Sequence, residues 1–238
     1  MAVAIVLAGG SGKRMNTDVA KQFLKINGKE VLYYSLRVFE NNENITDIVL
    51  VTREEDIEYC KKNIIDEYGF NKVSNIVCGG KERYDSVYNG LQVISTYPEG
   101  KRQVVLIHDG ARPFITDIMI NESVKKIQSG CQACTIAVPA KDTIKKVENI
   151  DGKILGIETP DRKFLYQIQT PQTFEFNLIM SSYEKMLKDH NHNITDDTML
   201  VEQYSGVYSE IIEGTYENIK ITTSEDLEIG EIFAKKSF

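Results

Sequence analysis

The chain has 238 residues, enough for one large or two small domains with a sizeable core. Its composition, 42% hydrophobic and 26% charged, is that of a globular protein, and no apolar run reaches the roughly 18 residues that span a bilayer. The net charge of −7 excludes general affinity for nucleic acid, which needs clustered Lys and Arg, but leaves room for a local basic pocket.

The first apolar run, AVAIVLAG, enters a glycine loop with no basic segment before it, so it reads as a strand and not a signal peptide. Next, EVLYYSLRVFE places Leu32, Leu36 and Phe39 on one helical stripe. TDIVLVT, SNIVCGG and QVVLIHDG then read as strands buried on both faces, as in a parallel sheet. Glu54 to Tyr68 and Arg83 to Ser95 supply the intervening helices. This alternation predicts an α/β fold, a Rossmann-like doubly wound and mainly parallel sheet, with ligands outside the carboxyl ends of its strands. From Thr143 to Thr159, two alternating runs flank Asp151-Gly152, a hairpin signal. Ile144, Val147, Ile154 and Ile157 are too few to stabilise an isolated hairpin, so it should pack against something else, such as another subunit. One domain over 1–238 with an arm at about 141–160 is expected.

Four cysteines are too few and scattered for a disulfide framework, which suits a reducing cytoplasm. Cys131 and Cys134 form a C-x-x-C inside an apolar run, with no second Cys or His pair, so core-strand thiols are expected rather than zinc or redox chemistry. His190 and His192 lie in a polar loop and read as solvated.

Three loops carry chemistry. Leu7-Ala8-Gly9-Gly10-Ser11-Gly12-Lys13-Arg14-Met15 follows the first strand; its glycines let backbone N–H groups converge on anionic oxygens, and Lys13, Arg14 and Lys21 add charge. It is not a Walker A loop, which needs Gly at Leu7 and Ser or Thr at Arg14, and the dinucleotide spacing is absent. Cys78-Gly79-Gly80-Lys81-Glu82-Arg83-Tyr84-Asp85-Ser86 opens a helix, either as a ligand site at its N-terminus or as an ordinary cap. His108-Asp109-Gly110-Ala111-Arg112-Pro113 ends a buried strand, where an acid near phosphates can hold Mg²⁺ and Arg112 can grip a phosphate; a turn-capping Asp is the plainer alternative. Asp161-Arg162, the Gln169-Thr170-Pro171-Gln172 turn, Thr195-Asp196-Asp197 and Asn218 to Thr222 are, taken singly, surface turns or exposed charges.

In order and spacing these motifs resemble the 2-C-methyl-D-erythritol 4-phosphate cytidylyltransferase family. LAGGSGKRM, KQFL, GGKERYDSVYNGL, HDGARPF, KDTIKKV, DRKFL, QTPQTF, ITDDTMLVE and NIKIT with EDL carry the resemblance from Leu7 to Leu227. LAGGSGKRM alone marks the wider sugar-nucleotidyltransferase class, while HDGARPF with QTPQTF is more specific. The resemblance implies a cytoplasmic, CTP-dependent transferase of isoprenoid precursor synthesis that uses Mg²⁺, binds CTP first and exchanges its β-arm in a homodimer. It also implies roles for individual residues. Leu7, Ala8, Gly9, Gly10, Gly12, Gly80, Lys81, Ser86, Asp109 and Gly110 would bind the nucleotide, with Asp109 near the metal. Arg14, Lys21, Arg162 and Lys220 would be catalytic, and Arg112, Thr143 and Thr195 would join Arg162 and Lys220 in holding the acceptor phosphate. Ala20 stands where the family has Pro, which should loosen the segment bearing Lys21.

Ribitol 5-phosphate cytidylyltransferases share several of these motifs, so the acceptor has two candidates; ERYDSVYNGL and TDDTMLVE favour methylerythritol phosphate. A nucleotide-binding regulator without turnover is the rival of another class, although a mere binder has no need of cations at two phosphates. Neither nucleic acid nor membrane is an expected partner.

Overall fold

The computed structural model describes residues 1–10, 20–100, 102–189 and 193–237. In chain order the elements are β1 (Ala2–Leu7), the two-residue strands β2 (Lys25–Ile26) and β3 (Lys29–Glu30), α1 (Val31–Asn41), β4 (Ile45–Thr52), α2 (Ile57–Tyr59), β5 (Val73–Cys78), α3 (Arg83–Ser95), β6 (Val104–Asp109), α4 (Asp117–Gln128) and β7 (Ala133–Pro139). There follow β8 (Lys146–Ile150), β9 (Lys153–Glu158), β10 (Tyr166–Glu175), α5 (Phe176–Met186), α6 (Asp197–Ser205), β11 (Glu210–Glu213) and α7 (Ser224–Ser237).

Seven strands form one sheet in the order β11-β7-β10-β6-β1-β4-β5. β1 pairs in parallel with β4 and β6, β4 with β5, and β11 with β7; among the described residues β10 alone runs antiparallel, to β6 and β7. Alternation along β1 divides the core. Ala2, Ala4 and Val6 join Leu32, Leu36 and Phe39 of α1 and Met119, Ile120 and Val124 of α4 on one face. Val3 and Ile5 join Val87, Leu91 and Ile94 of α3, Ile179 and Tyr183 of α5 and Leu200 of α6 on the other. Helices on both faces make the sheet doubly wound and α/β. Gly90 is where α3 lies closest to the sheet: a Cβ there would stand 3.1 Å from Ile5.

Three elements depart from the sequence reading. β5 is an edge strand and only half-buried, because no further strand covers its far side. The segment expected as one helix over Glu54 to Tyr68 is a 3₁₀ turn (Glu54–Asp56), then α2, then a π-helical run (Cys60–Asp66), which turns Cys60 and Ile64 into the core. Gln169-Thr170-Pro171-Gln172 is part of β10 and not a free turn; its pairing with β7 breaks between Ile168 and Gln172, where Pro171 has no N–H to donate.

The arm is β8 and β9, which pair only with each other among the described residues. Asp151 (φ 51°) and Gly152 (φ 79°) both take the positive φ of a tight hairpin turn. Apolar side chains stand in solvent on both faces of the ribbon, with Val147 and Ile154 on one and Ile150, Leu155 and Ile157 on the other. No described helix is long and apolar enough to cross a membrane. Cys134 is buried in β7 and Cys60 in the core, and burial pushes both thiols up to about 12, which makes them packing groups rather than nucleophiles. Cys131 lies just before β7, half-buried, with its thiol bonded to the Ala133 carbonyl.

Candidate active site

β1, β4, β5 and β6 all end on one side of the sheet, and the chain leaves β1 towards β4 but returns to β6 on the other flank. At this reversal a cavity of about 490 Å³ opens. Its wall is made by the strand ends and the turns that follow them: Leu7, Gly9 and Gly10 at the end of β1, Arg53 after β4, Gly80 to Arg83 and Ser86 after β5, and Asp109 and Ala111 at the end of β6. Lys21, Gln22 and Lys220 close it. Five cations (Lys21, Arg53, Lys81, Arg83 and Lys220) therefore face two acids, Glu82 and Asp109, in a chain whose net charge is −7. Such a cavity selects a polyanion.

Local sequence sets each wall. The Gly9-Gly10 turn leaves room for the stem of Lys21, since a Cβ on Gly10 would stand 3.3 Å from Lys21 Cε. Lys21 opens a 3₁₀ turn, Lys21–Phe23, pinned to the glycine loop by Gln22 Nε2 donating to the Ala8 carbonyl at 2.5 Å. Phe23 packs on Tyr59 at 4.9 Å between ring centroids. Ala20, which stands where the family has Pro, has φ −62°, the value a proline would impose. Ala8 itself is buried, its N–H on the Val51 carbonyl, and lies beneath the cavity.

On the β5 side, Ser86 Oγ accepts the Gly80 N–H at 3.1 Å, and the Asp85 carboxylate accepts the Glu82 N–H at 3.0 Å. A Cβ on Gly80 would sit 2.1 Å from Asp85 Cβ, so only glycine fits this approach. The helix is capped by Glu82 and Asp85, and of these Glu82 also lines the cavity, together with Ser86.

Asp109 is the electrostatic centre. Lys220 Nζ lies 2.7 Å, Arg83 Nε 3.6 Å and Arg112 Nε 3.9 Å from its carboxylate oxygens. Burial alone would raise this carboxyl; the charges of Arg83 and Lys220, the Lys220 hydrogen bond and the charge of Arg112 hold it well below the usual carboxylate range. Gly110 lies behind it, packed against Leu32 and the Leu7 carbonyl, and Gly110 N–H donates to that carbonyl at 2.9 Å. Next to Asp109, His108 is fully buried in β6, and burial pushes its ring down to about 4 despite the opposing Asp109 charge. Its Nδ1 meets Thr170 Oγ1 at 3.0 Å and its Nε2 the Arg112 carbonyl at 3.1 Å.

Motifs distant in sequence meet here as one hydrogen-bonded block. Asn218 Nδ2 donates to Gln169 Oε1 and the Thr170 carbonyl, each at 3.0 Å, while Arg112 donates to the Asn218 carbonyl at 2.8 Å. The loop delivering Lys220 is thereby locked to β10 and β6. Read singly these stretches resemble surface turns; Asn218 and Thr170 are in fact buried.

Of the residues that the resemblance singles out, Leu7, Gly9, Gly10, Lys21, Gly80, Lys81, Ser86, Asp109 and Lys220 line the cavity, and Arg112 sits behind Asp109. Thr143, Arg162 and Thr195 do not line it in this chain: Thr143 precedes the arm, Arg162 donates to the Lys141 carbonyl beyond the arm, and Thr195 is exposed before α6. Gly12 and Arg14, with the rest of Ser11 to Met15, and His190 and His192 lie outside the described residues. Sequence reasoning did not single out Gln22, Arg53, Arg83 or Asp197. Arg83 and Asp197 stood inside quoted motifs, but their pairing spans 114 positions and left no local signal.

The family model described as 2-C-methyl-D-erythritol 4-phosphate cytidylyltransferase matches residues 2–236. Curated relatives bearing that name include one from Clostridium botulinum, 52% identical over 98% of this chain and 96% of its own. Another, from Lachnospira eligens, is 46% identical over 99% of this chain and 100% of its own. Among solved structures, 4-diphosphocytidyl-2C-methyl-D-erythritol synthase from Anaerococcus prevotii superposes with a TM-score of 0.81 at 32% identity, covering 98% of this chain and 96% of that one. The Francisella tularensis 2-C-methyl-D-erythritol 4-phosphate cytidylyltransferase gives 0.77 at 28% identity over 100% and 99%. The family-model match over residues 2–236 and relatives about half identical over nearly the full chain place it in the 2-C-methyl-D-erythritol 4-phosphate cytidylyltransferase family.

Proposed function

We infer that this protein transfers CMP from CTP to 2-C-methyl-D-erythritol 4-phosphate and releases pyrophosphate, a step in the supply of isoprenoid precursors. The cation-rich cavity around Asp109, at the reversal of strand order, is the observation that carries this reading. A phosphate oxygen of the acceptor attacks the α-phosphorus of CTP, and the bond from that phosphorus to the bridging oxygen of pyrophosphate breaks. The acceptor phosphate is ionised at neutral pH, so no general base is needed, in keeping with a buried His108 held neutral. The protein's task is to position two polyanions and offset their charge. Leu7 to Gly10 and Gly80 to Ser86 frame the nucleotide, Lys21 and Arg14 serve the α-phosphoryl group, and Lys220, Arg112, Arg162, Thr143 and Thr195 hold the acceptor.

Mg²⁺ suits this donor set. It is usually held by one or two carboxylates together with substrate phosphates, and Asp109, ionised and at the cavity edge, supplies one; no cage of three metal-binding side chains exists among the described residues. Bound with the nucleotide, the ion would offset phosphate charge. The protein acts in the cytoplasm as a homodimer that exchanges its arm. Exposed apolar side chains on both faces of the ribbon support the exchange, as does the position of Arg162 away from its own cavity.

The test is pyrophosphate release by purified protein across four NTPs, each with methylerythritol phosphate and with D-ribitol 5-phosphate. CTP with methylerythritol phosphate should be fastest. Equal or faster turnover with ribitol phosphate would reassign the acceptor, and no turnover with any pair would leave a nucleotide-binding regulator.

A further inference from the structure

Arg83 stands between two carboxylates and is bound more closely to the one farther from the cavity. Its Nη2 lies 2.7 Å from Asp197 Oδ2, whereas its Nε lies 3.6 Å from Asp109 Oδ1. Asp197 is 0% exposed and is itself fixed on all sides. Its Oδ1 accepts the hydroxyl of Tyr183, also 0% exposed, at 2.5 Å, and its N–H donates to Gln172 Oε1 at 2.9 Å. It occupies the first turn of α6, where the helix N-terminus favours negative charge, and Asp196 caps that helix by accepting from Met199 N–H at 2.8 Å. Asp109 meanwhile makes its own short contact, 2.7 Å, with Lys220.

We propose that Asp197 and Tyr183 are positioning residues for the transfer: they keep the closer contact of Arg83 on Asp197, so that the short contact of Asp109 stays with Lys220 at the cavity edge. A half-buried guanidinium seeks a carboxylate partner. With Asp197 oriented by Tyr183, that partner lies in the first turn of α6. Without it, Asp109, already 3.6 Å from Arg83 Nε, is a carboxylate in reach, and Arg83 would close further on it and compete with Lys220. The cavity would keep its shape and lose the charge arrangement that the transfer needs. This inference rests on the transferase reading above.

Asp197→Asn, Tyr183→Phe, Arg83→Gln and the double variant Arg83→Gln/Asp197→Asn are compared with wild type for kcat, KM for CTP and Tm. Asp197→Asn should lower kcat by about 10- to 100-fold with KM for CTP little changed, the scale seen when a group orienting an active-site ligand is lost. Tyr183→Phe should lower kcat in the same direction and less. The decisive reading is the double variant: with Arg83 gone there is nothing left to misplace, so it should be no slower than Arg83→Gln alone. Losses that multiply in the double variant, a loss confined to KM, or a lowered Tm with unchanged kcat would each overturn the positioning role. If Asp197→Asn does not fold, Tyr183→Phe takes its place, and its effect should vanish in the Arg83→Gln background; persistence there overturns the role. An inactive wild type would instead overturn the reaction assigned.

Discussion

At the scale of single residues, the cavity depends on where a few cations are held. Lys21 reaches it because Gly10 has no side chain, Gln22 is tied to the Ala8 carbonyl, and Phe23 is braced by Tyr59, whose hydroxyl donates to the buried Glu30 at 3.3 Å. None of these supports involves the Lys21 ammonium, so Lys21→Ala should leave the fold intact. It should lower kcat by roughly 10²-fold or more, the scale for losing one preorganised electrostatic contact. Steady-state kinetics with circular dichroism check both halves, and near-wild-type kcat would remove Lys21 from the catalytic set. Lys21 was legible in the sequence through KQFL, whereas Gln22 was not: a glutamine beside a lysine announces nothing until the fold brings it beneath the glycine loop. Arg53 was hidden for a similar reason, since its pairing with Asp56 at 2.7 Å and Glu55 at 2.9 Å looks like ordinary helix-start charge. Only the end of β4 turns it towards the cavity.

At the scale of elements, β6 and β10 are joined by more than their ladder. Thr170 Oγ1 meets His108 Nδ1 and accepts the Asp109 N–H at 3.1 Å, and His108 Nε2 holds the Arg112 carbonyl. Unfolded, this histidine takes up a proton near its ordinary 6.5; folded, burial delays that to about 4. The unfolded chain therefore binds the extra proton throughout that window, and stability is lost as pH falls through it, by roughly 3 kcal/mol at 1.36 kcal/mol per pH unit. Asp109, held lower still, gives up its share only at more acid pH. Urea midpoints at pH 7.5 and 4.5 should show a steep acid loss for wild type and a flatter one for His108→Gln; equal slopes would show that His108 does not govern it. These elements also show what periodicity can and cannot convey. α3 runs from Arg83 to Ser95 as its pattern predicts, and the Asp151-Gly152 turn sits between β8 and β9, because both signals are local. β10 was missed because a proline in QTPQ marks a turn by composition, while the ladder with β6 and β7 that keeps it in the sheet is made by residues distant in sequence. The half-exposure of β5 was likewise invisible, since an edge is a property of strand order and not of SNIVC.

At the scale of the whole molecule, one chain has a nucleotide-sized cavity and an arm whose strands, among the described residues, pair only with each other. Ile154 is 74% exposed in the ribbon and Phe164 74% at its base, apolar surface that a soluble element normally covers. A two-stranded ribbon of this size is marginal alone, and a two-fold dimer is the commonest way to cover such an element. Arg162 follows β9 directly and bonds the Lys141 carbonyl at 2.5 Å, so it sits at the base of the arm and does not line the cavity of its own chain. If arms are exchanged, each catalytic centre takes Lys21 from one protomer and Arg162 from its partner. Lys21→Ala and Arg162→Ala homodimers should both be nearly inactive. In a heterodimer of the two, one centre carries both lesions and the other carries none. Random reassociation makes half the dimers hetero, each with one intact centre of two, so mixing should restore about a quarter of wild-type activity by two-fold symmetry. If Arg162 served its own chain's cavity, every centre in the mixture would carry one lesion and no activity would return. Reassociation is followed by mass spectrometry of differently tagged chains, so that a mixture shown to exchange yet still inactive rejects the shared centre.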